Sequence, residues 1–126
     1  MPSPRRPDDV RRFSRSARLL SQAQFDRVYK QGRKLVGPGL VAWALPSDEP
    51  ASRLGLSVSR KVGGAIARNR VKRVLREAFR QIETPPDPPL DLVLVARPGR
   101  APQTLADARD ALAQILRRWQ PPAGRR

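Results

Sequence analysis

The segment from Ala65 to Ile82 constrains the fold more than any other part of the chain, because only a helical period gives it a consistent inside and outside. At roughly 100° per residue, its apolar side chains form one continuous stripe. The members of the stripe are Ala67, Val71, Val74, Leu75, Ala78, Phe79 and Ile82. The polar side chains that fall on the opposite side or on its flanks are Asn69, Arg70, Lys72, Arg73, Arg76 and Arg80, and Arg68 lies near the apolar edge in the first turn. The spacing predicts a helix that covers a core with one face and presents cations with the other.

Like charge is concentrated in this helix to a degree that disfavours the free protein. Arg68 and Lys72, Lys72 and Arg76, and Arg76 and Arg80 are like-charge pairs four residues apart, each destabilising by a few tenths of a kcal/mol. Glu77 is the single acid within the helix. A solvated helix face usually mixes both signs, so this pattern favours a phosphate-binding surface. The Gly63–Gly64 turn would add exposed backbone N–H groups beside the arginines.

The composition points to the same kind of partner and excludes several kinds of site. The chain has 26 Lys and Arg against 11 Asp and Glu, a formal net charge of +15, so we expect it to bind a polyanion. It has no Cys and no His, which excludes thiolate and imidazole metal sites, thiol nucleophiles and histidine-based triads. No apolar run approaches the ~18 residues of a membrane span, and the N-terminus lacks the apolar segment of a signal peptide. We therefore expect a cytoplasmic protein.

The rest of the sequence predicts a small sheet and two further helices. The first predicted element is a helix with Ser21 as its N-cap, Gln24 three residues on as in a capping box, and Gly32 just after its last turn. It is followed by a short strand near Arg33 to Val36, strands at Leu40–Pro46 and from Arg53, the basic helix, a strand at Leu90–Arg97, and a helix capped by Thr104. In the strand that begins at Arg53, Leu54, Leu56 and Val58 should face the core. This order favours an α+β fold, a two-layer α/β sandwich. We expect a disordered basic arm over residues 1–17, a single domain over 18–119 and a disordered tail over 120–126.

Three aromatic side chains have two possible roles in this arrangement. Phe25, Tyr29 and Trp43 could stack on the bases of a single-stranded RNA, or they could pack in the core. Val28 belongs with the core because it falls on the apolar face of its helix. Asp87 and Asp91 are interpreted as turn residues and solubilising charge, not as metal ligands.

The stretch GLSVSRKVGGAIARNRVKRVLREAFR, from Gly55 to Arg80, resembles the signature of the protein subunit of bacterial ribonuclease P. The match is centred on Arg68, Asn69 and Arg70, and its specificity comes from the serine-rich strand, the glycine turn and the KRVLREAFR continuation together. A looser similarity extends from about Arg18 to Trp119. Gly64 departs from the family pattern, in which a polar residue such as Asn is commoner.

The resemblance implies a fold, a site and a partner. The fold would be an α/β sandwich with a small mixed sheet and a left-handed βαβ crossover, an exception to the usual right-handed rule. The residues that would contact the catalytic RNA are Arg60, Lys61, Arg68, Asn69, Arg70, Lys72, Arg73, Arg76 and Arg80. Phe25, Tyr29 and Trp43 would line a cleft for the 5′ leader of precursor tRNA. The protein would hold no cofactor of its own, and the RNA subunit would hold the Mg²⁺ that the ribonucleoprotein requires.

Four other functions compete with this interpretation. A ribosomal or other structural RNA-binding protein explains the charge but not the segment around Arg68–Arg70. A protein-only nuclease would need a cluster of carboxylates that the sequence does not suggest. A DNA-binding regulator would prefer duplex DNA to structured RNA. A membrane-binding helix is disfavoured because the apolar face of the basic helix is needed for the core.

Overall fold

The computed structural model describes residue 18, residues 21–82 and residues 85–119. Its elements in chain order are α1 (Gln22–Gln31), β1 (Arg33–Gly37), β2 (Leu40–Pro46), β3 (Arg53–Ser57), a 3₁₀ turn (Arg60–Val62), α2 (Ala65–Arg80), β4 (Leu90–Ala96) and α3 (Leu105–Arg118). The predicted order of elements and the α+β class are confirmed. The arm and tail predictions for residues 1–17 and 120–126 lie outside the described residues.

The four strands form one mixed sheet in the order β1-β2-β4-β3. β1 pairs antiparallel with β2, and β2 pairs antiparallel with β4. β3 and β4 are parallel neighbours, with Ser57 opposite Val95, and the chain passes between them through α2. This is the βαβ unit that the family resemblance implies, and its left-handed sense stays a prediction.

The larger core lies between one face of the sheet and helices α2 and α3. Leu40, Ala42 and Ala44 of β2 and Leu92 and Leu94 of β4 face this side, and all five are buried. From α2, the buried residues are Val71, Leu75 and Ala78, with Val74, Phe79 and Ile82 partly buried against them. The apolar stripe predicted for α2 is therefore the face of the helix that packs against the sheet and α3 in this core. In β3, Leu54 and Val58 are buried in the same cluster and Leu56 packs against it, as the alternation predicted.

The C-terminal end of α2 differs slightly from the prediction. The α-helix ends at Arg80, two residues before Ile82, and Gln81 is the C-cap. The Gln81 N–H donates to the carbonyls of both Glu77 and Ala78, and the Ile82 N–H donates to Phe79, three residues back. The last turn has thus tightened toward 3₁₀ geometry, which is a common way to satisfy terminal carbonyls.

Helix α1 lies on the other face of the sheet, against β2 and β4, so the sandwich has a helix on part of its second face. The helix begins with the capping box that the sequence predicted. The Ser21 hydroxyl accepts from the Gln24 N–H at 3.1 Å, and the Gln24 Oε1 accepts from the Ser21 N–H at 3.0 Å. Gly32 ends the helix, and a Cβ there would come within 2.9 Å of the Ala44 carbonyl oxygen. The close approach brings α1 down onto β2.

The interpretation of Asp91 as a solubilising surface charge is wrong. Asp91 lies within β4 and is 1% exposed. Arg53, opposite it on β3, donates two hydrogen bonds, from Nε to Oδ1 at 2.8 Å and from Nη2 to Oδ2 at 2.7 Å. Asp91 raises the pKa of Arg53, first through this hydrogen bonding and also through its charge, while partial burial acts in the opposite direction. Asp87 is exposed, as predicted.

The turn from β1 to β2 packs against the segment that follows β4. Gly39 has φ of +73°, in the left-handed region that glycine adopts without strain. Its carbonyl accepts from the Arg97 N–H at 3.0 Å, and a Cβ at Gly39 would overlap the carbonyl oxygen of Arg100. Gly39 is thus required by both conformation and space.

Candidate RNA-binding surface

The turn that leads into α2 is held by hydrogen bonds. Ser59 caps the 3₁₀ turn by accepting from the Lys61 N–H, and Gly63 follows with φ of +153°. Arg68 reaches back from the first turn of α2, and its Nε donates to the Gly63 carbonyl at 3.2 Å. Gly64 is the N-cap and supplies no side-chain cap. The first N–H groups of α2 are therefore not capped by the N-cap side chain and lie beside Arg60 and Lys61, both exposed, as the phosphate-binding prediction requires.

The predicted RNA contacts on α2 separate into two groups by exposure. Asn69, Arg70 and Arg73 are exposed, and Asn69 and Arg70 lie four and three residues before Arg73, so each of them neighbours Arg73 on the outward side of the helix. Arg68, Lys72, Arg76 and Arg80 are half-buried. We call the first three, with Ile66 one turn earlier, the outer ridge of α2. No observation tests RNA contact by any of these residues, and their role stays a prediction.

Arg76 is a cation in an unfavourable position in the free protein. Burial lowers the pKa of its guanidinium, and repulsion from Arg18 lowers it further. Arg18 lies close by because it forms an isolated parallel bridge to Leu54 at the edge of the sheet. A helical wheel of α2 alone does not show this repulsion, since it does not include Arg18.

Arg80 is already engaged within the helix. It forms an ion pair with Glu77, and its Nε donates to Glu77 Oε1 at 3.2 Å. Gln81 Nε2 donates to the same carboxylate at 2.7 Å. A cation in the last turn of a helix is also favoured by the backbone dipole. Arg80 thus has a role in the free protein that Arg70 and Arg73, on the outer ridge, are not shown to have.

The three predicted leader-cleft residues form one contiguous cluster on the α1 face of the sheet. The ring centroids of Phe25 and Tyr29 are 6.4 Å apart, and those of Tyr29 and Trp43 are 6.0 Å apart in an edge-on arrangement. All three rings are partly buried, packed over Val28 and Val93, which are fully buried. The rings therefore pack and present surface at once, so both roles considered for them are physically compatible.

Sequence reasoning missed a cation at this cluster. Lys34, on β1, is exposed and holds its Nζ 5.9 Å from the centroid of the Trp43 ring. Lys34 and Trp43 are directly opposite each other in the antiparallel register of β1 and β2. The signal lay in that register, because residues paired across two strands share a face. The two-residue loop at Pro38–Gly39 fixes which residues of β1 and β2 are paired, so the pairing of Lys34 with Trp43 could have been predicted from the length of the loop.

Charge is distributed unevenly between the two ends of the sheet. Because β3 and β4 are parallel, the basic turn at Arg60–Lys61 and the Arg97–Arg100 turn follow the same end of the sheet. Asp48 and Glu49 follow the end of β2, at the opposite end, next to the start of β3. The outer ridge therefore starts from the basic end.

Two features of the described residues bear on rival functions. None of the helices there is long and apolar enough to cross a membrane. Within the same residues, no three acidic side chains come together in a way that could hold a metal ion.

Comparisons with known proteins give the family. Residues 13–120 match the family model described as Ribonuclease P. The ribonuclease P protein component of Gluconacetobacter diazotrophicus is 44% identical over 108 residues, and the match covers 82% of this chain and 91% of the relative. That of Brevibacillus brevis is 38% identical over 105 residues, and the match covers 82% of this chain and 83% of the relative. The ribonuclease P protein of Thermotoga maritima superposes with a TM-score of 0.73 at 29% identity, covering 82% of this chain and 98% of that one. The Staphylococcus aureus protein gives 0.71 at 29% identity, covering 80% and 93%. The resemblance seen around Arg68–Arg70 is thus confirmed over most of the chain, which belongs to the family of bacterial ribonuclease P protein components.

Proposed function

We propose that this protein binds the catalytic RNA of ribonuclease P and the 5′ leader of precursor tRNA in the cytoplasm, and so promotes removal of the leader to give the mature tRNA 5′ end. The observation that carries the proposal is the outer ridge of α2, where Asn69, Arg70 and Arg73 are exposed next to the uncapped start of the helix. Membership of the family supports the RNA subunit as the partner.

The ridge suits an RNA backbone for electrostatic reasons. Each phosphate that a cation neutralises releases condensed counterions, so affinity falls as salt rises. Arg70 and Arg73 can each offer a planar fork to phosphate oxygens, while Lys61 acts as a point charge at the entry turn. Asn69 has both a donor and an acceptor, which allows contact with a base edge or a 2′-hydroxyl.

The aromatic cluster supports leader binding. Stacking of a base on an aromatic side chain contributes about 1–3 kcal/mol and tolerates many sequences, as a protein that handles many precursors requires. Tyr29 and Trp43 offer ring surface because neither is fully buried. Lys34, beside the Trp43 ring, would add a charge for the leader phosphate.

We assign the chemistry to the RNA subunit, which would bind the Mg²⁺ that assists phosphodiester hydrolysis. The residues of this chain would bind and orient the two RNAs. Asp91 is held by Arg53 through both carboxylate oxygens, so it is engaged in the fold and not poised at the RNA surface.

The test is cleavage of a precursor tRNA with a 5′ leader at low Mg²⁺, by a bacterial ribonuclease P RNA with the protein, without it, and by the protein alone. We expect stimulation only when both are present. Cleavage by the protein alone would overturn the assignment of chemistry to the RNA. The absence of any effect would favour a ribosomal or other structural RNA-binding role, and tighter binding to duplex DNA than to the RNA subunit would favour a DNA-binding regulator.

Two variants separate the surfaces. Replacing both Arg68 and Arg70 with Ala should weaken binding to the RNA subunit and lower its salt dependence, because two phosphate contacts are lost. Tyr29→Ala should weaken binding of precursor tRNA with a leader more than binding of mature tRNA. Arg109→Ala is the matched control, since it removes an exposed arginine from α3. Equal effects of all three would contradict the two-surface arrangement.

A further inference from the structure

Ile66 is an apolar side chain in the midst of the most basic part of the molecule. It is 82% exposed, and Val36, at 40%, is the other large hydrophobic side chain left exposed among the residues described. Ile66 lies in the first turn of α2, three residues before Asn69 and four before Arg70, at the start of the outer ridge.

No folding role explains this isoleucine. Its exposure excludes it from the core that Val71 and Leu75 enter five and nine residues later. Isoleucine is also a weaker helix former than alanine, because its branched side chain loses rotamer freedom against the preceding turn. Alanine at position 66 would therefore suit the free helix better.

From this placement we propose that Ile66 packs against a base face or ribose of the ribonuclease P RNA and supplies a salt-independent part of the affinity. This inference rests on the proposed function. Charge complementarity identifies the occupant, because exposed cations flank Ile66 along the chain, Arg60 and Lys61 in the preceding turn and Arg70 one helical turn later, and a protein or lipid partner would have to accommodate all three. Gly64 lies two residues before Ile66, and no heavy atom lies within 4 Å of the position that a Cβ of residue 64 would take. A flat group can therefore approach the start of the helix there. Structured RNA presents unstacked bases and the shallow minor groove of A-form helices, both of which offer apolar surface between phosphates.

The experiment measures binding of the full-length protein to a bacterial ribonuclease P RNA over a range of salt concentrations. Ile66→Ala should weaken binding about tenfold at every salt concentration and leave the slope of log K against log salt unchanged, because apolar burial releases no counterions. Arg70→Ala should instead lower the slope by about one. Val36→Ala, which removes the other exposed apolar side chain from β1, should bind as the wild type does.

The outcomes distinguish failure of this inference from failure of the proposed function. The role of Ile66 would be overturned if Ile66→Ala bound the RNA as tightly as the wild type, or if it changed the slope of log K against log salt. Salt-sensitive binding by the wild type would still support the proposed function in that case. A wild-type protein that does not bind the RNA would overturn both. A thermal melt of Ile66→Ala, expected to match or exceed that of the wild type, excludes unfolding as the cause of weaker binding.

Discussion

Replacing Asp91 with alanine should destabilise the protein far more than its single charge would suggest. The Asp91 side chain is 2% exposed and that of its partner Arg53 is 13% exposed. The variant would leave the Arg53 guanidinium inside the protein without a partner, and arginine cannot escape by losing its proton. Breaking a buried pair in this way costs about 3–5 kcal/mol. Since a domain has roughly 5–15 kcal/mol of stability in all, the loss is a large fraction of the total.

The assay is thermal and urea unfolding followed by circular dichroism. A loss of 3 kcal/mol corresponds to a fall in Tm of about 12 °C or more in a domain of this size. Asp48→Ala is the matched control. Arg27 Nη2 lies 3.2 Å from Asp48 Oδ2, but the Arg27 side chain is 39% exposed and that of Asp48 is 77% exposed. Exposed pairs of this kind contribute about 1 kcal/mol or less.

A third variant tests the cause of the loss. Replacing Arg53 with Met and Asp91 with Leu together removes both charges, and apolar replacement of a buried pair is often close to neutral. The double variant should therefore recover most of the stability that Asp91→Ala loses. The argument would be refuted if Asp91→Ala and Asp48→Ala unfolded together, or if the double variant were no more stable than Asp91→Ala.

Three further predictions concern single residues. Arg76→Met should raise the Tm of the free protein and weaken RNA binding, because it removes a charge that is partly desolvated and repelled; melting and RNA titration of the same variant check both effects. Gly39→Ala should lower stability by clearly more than Gly99→Ala, because both glycines have a positive φ, which costs alanine about 1–2 kcal/mol, but of the two only Gly39 has a backbone oxygen that the added Cβ would overlap. Equal urea midpoints for the two variants would contradict this. Gly64→Ser should stabilise by about 0.5–1 kcal/mol in urea unfolding, because serine caps the helix and restricts the unfolded chain, and the site has room for it.

The features that sequence reasoning predicted correctly are those set by neighbours along the chain. The capping box of Ser21 and Gln24 and the Thr104 cap of α3 each span three residues, and the structure contains both. The stripe of α2 follows from helical geometry alone. The fold class followed because the alternation of helices and strands leaves few ways to bury their apolar faces.

What the sequence did not predict depends on contacts between distant segments. Asp91 and Arg53 are 38 residues apart and meet only through the register of two parallel strands. Before that register is known, an aspartate near a proline-rich connector has the pattern of a turn residue. The repulsion between Arg76 and Arg18 has the same origin, since it depends on the bridge between Arg18 and Leu54 and not on the spacing within α2. For the site, the family resemblance grouped Tyr29 with Trp43, but it did not place Lys34 beside them.

The α2 helix should be formed before RNA arrives, because its core contacts outweigh the repulsion along it. Three like-charge pairs cost about 1 kcal/mol together. Val71 and Leu75 are both 0% exposed, and full burial of each contributes about 1.5–3 kcal/mol. We therefore expect the amide protons of Leu75 and Ala78 to be protected from hydrogen exchange in the free protein, and RNA to add protection mainly in the first turn, around Ile66. Free-protein exchange of Leu75 at the rate of an unfolded chain would show instead that RNA folds the helix, and the affinity would then have to include that folding free energy.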